Sequence, residues 1–145
     1  MSNKYEGNYF AVGLGLIDFL ESIKGELGVK TIGTAASMRE ISLQTTPALH
    51  IINTANSPVA NAHIDSRDTQ QWTVVIAVSN QAAQKNARKL LEKNGELVSK
   101  VINHVQGYQL AEDYEPLTRT TTSGQIEYYT TAALIPFTFF TKFQP

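Results

Sequence analysis

Gln70-Gln71-Trp72-Thr73-Val74-Val75-Ile76-Ala77-Val78, followed by a segment that ends at Gly107-Tyr108, decides how the chain is organised. The first nine residues read as one strand. Trp72, Val74, Ile76 and Val78 alternate with Thr73, Val75 and Ala77, and both sets are mostly apolar. A strand that is apolar on both faces belongs in the middle of a sheet with both sides covered. The segment after it changes period. Ala83, Ala87, Leu90, Leu91, Leu97, Val98, Val101, Ile102 and Val105 recur at helical spacing. Lys85, Arg88, Lys89, Glu92, Lys93, Glu96 and Lys100 take the wet side. Ser79 or Asn80 is the expected cap, and Gly95 marks an expected kink. This strand–helix unit has no carboxylate pair, phosphate loop or thiol. It reads as a packing element that presents a surface.

Before this unit, Tyr9, Val12, Leu16, Leu20, Ile23 and Leu27 predict an amphipathic helix over 9–27, with Asn8 as cap and Gly28 as stop. Residues 29–42 are ambiguous, with one helical turn expected over 37–41. Ala48-Leu49-His50-Ile51-Ile52 predicts a short central strand. Residues 53–63 predict a loop, because Asn53, Asn56, Ser57, Pro58 and Asn61 are turn formers. After the second helix, 117–122 and 125–131 read as a β-hairpin about Ser123-Gly124. Residues 132–143 form a last strand, bent or placed at an edge by Pro136. The expected class is α+β, a mainly antiparallel sheet with two long helices packed on one face.

The 145 residues predict a single domain, 1–145, large enough to bury roughly two-thirds of the unfolded chain's surface. Twelve basic and thirteen acidic residues give a net charge of −1. That balance provides no broad field to gather nucleic acid or an anionic membrane. With no cysteine, disulfides, thiolate zinc sites and cysteine nucleophiles are excluded, which suits a reducing cytosol. The N-terminal residues show no signal-peptide pattern. The longest wholly apolar run, 132–137, is far short of the ~20 residues of a membrane span.

Several residues bear on chemistry. His63 and Asp65 share a face if extended, and with Asp68 and an approaching His50 they are the best metal candidates. Convergent ligands at convincing spacing are otherwise missing, so a polar loop edge is the plainer account. His104 sits at a helix end, where packing its ring on apolar neighbours explains it better than a role as general base. Gly13-Leu14-Gly15 lacks the preceding strand and third glycine of a dinucleotide fingerprint, and reads as a small-residue face on a helix. Lys85, Arg88, Lys89 and Lys93 interleave with Glu92 and Glu96, as in a solvated helix face. The aromatic tail stands apart. Phe137, Phe139 and Phe143 share one strand face and Phe140 takes the other, so one face joins the core and the second asks for a cover or a subunit contact.

The run 71–78, the Ala-rich helix after it, Gly95-Glu96-Leu97-Val98 through Val101 to Gly107-Tyr108, and the Tyr- and Phe-rich last strand together resemble the tail terminator proteins of long-tailed bacteriophages and their prophages. The resemblance spans roughly 47–143. It implies a structural α+β subunit that assembles as a six-membered ring. The ring would cap the tail tube, stop its polymerisation and offer a surface to the head–tail connector. The implied partners are further copies of the chain, the tail tube protein and the connector protein, with no membrane and no specific nucleic acid. The place of work would be the host cytoplasm during assembly and then the virion tail. No cofactor, metal or catalytic residue is implied. The interface residues expected are Tyr128, Tyr129, Phe137, Phe139, Phe140 and Phe143. The alternatives are another neck or tube-completion protein, or a small α+β enzyme or ligand-binding domain using His50, His63, Asp65 and Asp68.

Overall fold

The computed structural model of the chain describes residues 4–59, 66–80 and 87–145. Strand β3 (Asp68–Ser79) is the spine, and every residue from Trp72 to Val78 is buried. It lies between β2 (Ala48–Pro58) and β6 (Ala132–Phe143), antiparallel to both. The short β1 (Thr31–Thr34) joins β2 in parallel. β4 (Thr118–Ser123) and β5 (Glu127–Tyr128) both flank the far side of β6. The sheet order is β1-β2-β3-β6-β4, with β5 also on β6. One face carries Leu49, Ile51, Trp72, Val74, Ile76, Ile135 and Phe139. These pack with α1 (Ala11–Ser22), α2 (Lys24–Leu27) and α3 (Ala87–Val105) into the main core. The opposite face carries Ala48, Ile52, Val75, Ala77 and Leu134, covered by Ile41 with Met38 and Leu43. The α+β class and the mainly antiparallel sheet match expectation, with one parallel pair added by β1.

Three features differ from the expectation. The first helix starts at Ala11 and breaks at Ile23. Ser22 Oγ donates to the Phe19 carbonyl, and the Ile23 N–H tightens onto Leu20 three residues back, so the regular ladder ends there. Asn8 turns its side chain to the Phe10 N–H at 2.8 Å and does not occupy the cap. Gly28 does end the helical stretch, at φ 77°.

The polar run from Asn53 is strand as far as Pro58, where a loop was expected. Its pairing with 68–72 continues through a shift of register between Asn53 and Ala55. Asn53 and Asn56 bond each other's side chains, and Asn53 Nδ2 also reaches the Gln71 carbonyl. Tertiary pairing here overrides the turn propensity of the residues. Residues 60–65, with His63 and Asp65, lie outside the described residues, as do 81–86, with Ala83 and Lys85. Of the two expected caps, Ser79 ends β3 and Asn80 donates from Nδ2 to Tyr129 O at 2.6 Å.

The predicted hairpin between 117–122 and 125–131 does not form. β4 and β5 run in the same direction along β6, as one edge strand interrupted at 124–126. The hairpin is instead β5–β6, closed where the Tyr129 N–H bonds Ala132 O at 2.8 Å. β6 is consequently an interior strand. Pro136 pairs with Val75 on β3 but has no register partner in β4 or β5, because it faces the interruption. There a residue without an N–H is tolerated inside a sheet. Gly124 lies against it, since a Cβ at that position would sit 2.7 Å from Pro136 Cγ.

Two glycines seat α1. A Cβ on Gly13 would fall 2.2 Å from Trp72 Cζ3, and one on Gly15 would fall 2.4 Å from Leu110 Cδ1. The small-residue face expected at Gly13-Leu14-Gly15 is therefore the contact of α1 with the sheet and with the segment after α3. A buried polar chain fixes the same helix end. Gln70, wholly buried, donates from Nε2 to Tyr9 O at 2.8 Å and faces Trp72 Nε1 at 3.4 Å. The Tyr9 hydroxyl donates to Asp68 at 2.8 Å. Burial raises the Tyr9 pKa, and the Asp68 hydrogen bond adds to the shift.

Candidate interaction surfaces

The aromatic tail divides by strand parity. Phe139 and Phe143 are buried in the subunit's own core. Phe143 meets Tyr9 edge-on at 5.4 Å and Tyr114 at 5.9 Å. These two side chains are occupied within the subunit. Phe137 and Phe140 are half-buried, on opposite faces of β6. Tyr128 and Tyr129 are exposed, at 48% and 37%. Tyr129 donates to Glu127 at 2.7 Å, and that bond raises its pKa.

Leu91 was expected in the core stripe of α3, yet it is 54% exposed. Leu90 and Leu91 are adjacent, about 100° apart around a helix, so a flat sheet takes only one of them. Leu90, Val101 and Val105 fill the core. Leu91, Gly95 and Val98 form a second stripe beside it. This stripe borders an apolar groove of about 190 Å³ that Ile126 and Phe137 close on the β5 side. The helix runs through Gly95 without interruption. A Cβ there would meet nothing within 4 Å among the described residues, so packing against them does not require glycine. An interior helical glycine nonetheless costs about 1 kcal/mol relative to Ala.

At the other end of the sheet, α1 also carries a second stripe. Phe10 is 45% exposed, and Leu14 and Ile17 are half-buried. Together with Ala35, Asn53 and Trp72 they line a groove of about 270 Å³ above β1 and β2. Phe10 touches the Trp72 ring edge-on at 6.3 Å, leaving much of its own ring in solvent. Sequence periodicity assigned neither Phe10 nor Leu91 to a surface. The available signal was an apolar arc on each helix wider than one sheet can cover.

The polar candidates stay apart. Asp68 is engaged by Tyr9. His50 lies on the sheet face opposite the helices, where burial lowers its pKa and its Nε2 has no hydrogen-bond partner among the described residues. His104 bonds the Lys100 carbonyl at 2.7 Å and lies 6.5 Å from the Phe19 ring, as a helix-end histidine on apolar neighbours does. Arg88 pairs with Glu92 at 2.8 Å on a fully wetted face. Tyr108 stacks on Phe19 at 5.3 Å, and burial pushes its hydroxyl pKa up to about 12. Below the part of the second face covered by Ile41, the hydroxyls of Thr54, Thr73 and Thr138 link three strands at 3.2 and 3.0 Å. They floor an open hollow of about 410 Å³ bordered by Met38 and Pro136. Among the described residues, no three His, Asp or Glu side chains converge on a point that would hold a metal ion. None of the described helices is long and apolar enough to cross a membrane.

The surfaces of this fold are thus apolar and set at opposite ends of one sheet, while the ionisable groups are dispersed. No curated protein matches the chain. The family described as "Phage tail terminator protein" matches residues 9–145, nearly the whole length. The chain belongs to the phage tail terminator family.

Proposed function

We propose that copies of this chain associate head-to-tail into a ring that caps a phage tail tube, stops its polymerisation and presents a surface for joining the head. The observation that carries this is the presence of two unlike apolar surfaces. The α3–β5 surface is at one end of the sheet and the α1 surface at the other. A two-fold dimer uses one patch against itself, whereas a rotational ring needs two different patches on each subunit. The family membership supports the place of that ring, at the end of a tail. Tyr128, Tyr129, Phe137 and Phe140 belong to the edge that meets a neighbour.

In this reading the protein works by shape, with no cofactor and no catalytic residue. Closing the ring satisfies both patches of every copy, so growth in the plane of the ring ends. The ring's two flat sides then meet the tube protein and the head connector. Assembly takes place in the host cytoplasm, and the finished ring remains in the virion tail. Electron microscopy of tails made without this protein tests the reading. Overlong tubes are the expected result, and tubes of normal length would refute it. Light scattering of the purified protein should reach six times the 16.0 kDa chain mass.

A further inference from the structure

Gly95 sits mid-way along a helix of 19 residues, where glycine weakens the helix and no contact with the described residues needs it. It opens a notch between Leu91 and Val98, in a groove walled by Ile126 and Phe137. The spacing 91, 95, 98 is matched along α1 and its N-cap residue by 10, 14, 17. One stripe is hollow at its centre and the other is bulky. The bulky stripe also borders its own groove, which is wide enough for a leucine side chain. We infer that the Phe10–Leu14–Ile17 ridge of one copy packs into the Leu91–Gly95–Val98 groove of the next, with Leu91 entering the hollow beside Phe10.

The inference rests on the ring reading and identifies its two mating surfaces. Rows of residues four apart on two helices interdigitate when one row offers projections and the other a gap. Phe10 and Leu14 supply the projections, and Gly95 supplies the gap. The exposed large apolar residues Phe10 and Leu91 are covered in one step by this contact. The glycine is then explained by a second copy, since only a position without a side chain admits an aromatic ring against the helix backbone.

Gly95→Leu fills the notch and Phe10→Asp removes the ridge. Each is an exposed site in the single subunit, so both variants retain the fold, and Gly95→Leu melts at a higher temperature than wild type when dilute. Phe10→Ser is the milder second variant at the ridge. In light scattering across a wide concentration range, either variant alone is a monomer, with association weakened at least tenfold. Mixing Gly95→Leu with Phe10→Asp restores one intact contact per pair, giving a species of two chains that grows no further. If either variant alone assembles to the wild-type mass, the assignment of surfaces is wrong. It is equally wrong if the mixture stays monomeric. If the wild-type protein itself never associates, the ring reading fails, which separates the two outcomes.

Discussion

Replacing Gly13 by Ala adds one methyl group at the closest approach that any glycine makes among the described residues. The new Cβ would stand 2.2, 2.3 and 2.7 Å from three atoms of the Trp72 ring. Carbon atoms settle at roughly 3.5 Å or more, so helix and ring must separate by about 1.3 Å. Trp72 is 4% exposed and rigid, with Val74 and Ile76 beyond it on the same face, so neither partner yields cheaply. Overpacking of this kind costs about 1–3 kcal/mol. The better helix propensity of Ala returns up to ~1 kcal/mol. A net loss of about 1 kcal/mol is expected, or about 0.5 M in the urea midpoint for a slope near 2 kcal/mol/M. Trp72 is the only tryptophan, so its fluorescence reports the same contact directly. The emission of the folded variant should shift as the ring repacks. Gly95→Ala, measured on the dilute subunit, is the control, because its methyl meets nothing among the described residues and the helix should gain ~1 kcal/mol. A Gly13→Ala protein as stable as wild type, with unchanged emission, would show that α1 does not seat on Trp72.

Gln70→Leu strips the partner from Tyr9 O and from Trp72 Nε1 in a fully buried place, and should cost about 2–4 kcal/mol by urea titration. His50 is held neutral by burial, with its pKa below the ordinary histidine value of 6.5. The unfolded chain therefore binds the proton more readily, so this residue lowers stability as pH falls from about 6.5 through the folded pKa. Melting temperatures measured between pH 7.5 and 5.5 should fall less in His50→Leu than in wild type. Arg88→Ala removes an ion pair in solvent and should change stability by less than about 0.5 kcal/mol, with little dependence on salt.

Period and composition on both faces made the central strand legible in the sequence, because β3 from Trp72 to Val78 is apolar at every position but Thr73, and buried at all of them. The two main helices were legible for the same reason. β2 beyond Asn53 was not, since Asn, Ser and Pro say turn and only the opposite strand says otherwise. The edge from 117 to 131 misled in a different way. Ser123-Gly124 has the composition of a hairpin turn, yet the glycine serves to pass Pro136 at close range. That requirement lies in another strand and has no local signature. Family resemblance was readable from hydrophobic and glycine spacing, and the match over residues 9–145 supports it. The surfaces were readable only in part. The sequence shows which residues are greasy, but whether Leu91 or Leu90 faces water depends on the angle at which the helix lies on the sheet.

The strand most buried in the sheet depends for one whole side on the strand that comes last among those described. β3 pairs with β6 along its full length, from Asp68–Phe143 to Ser79–Ala132. While the chain is being synthesised, the rail from Trp72 to Val78 has β2 on one flank and nothing on the other. An open apolar strand edge is a template for pairing with other chains. Nascent or truncated copies lacking 132–143 will therefore clump unless a chaperone shields them, and the sheet will close only once residues 132–143 are free to pair.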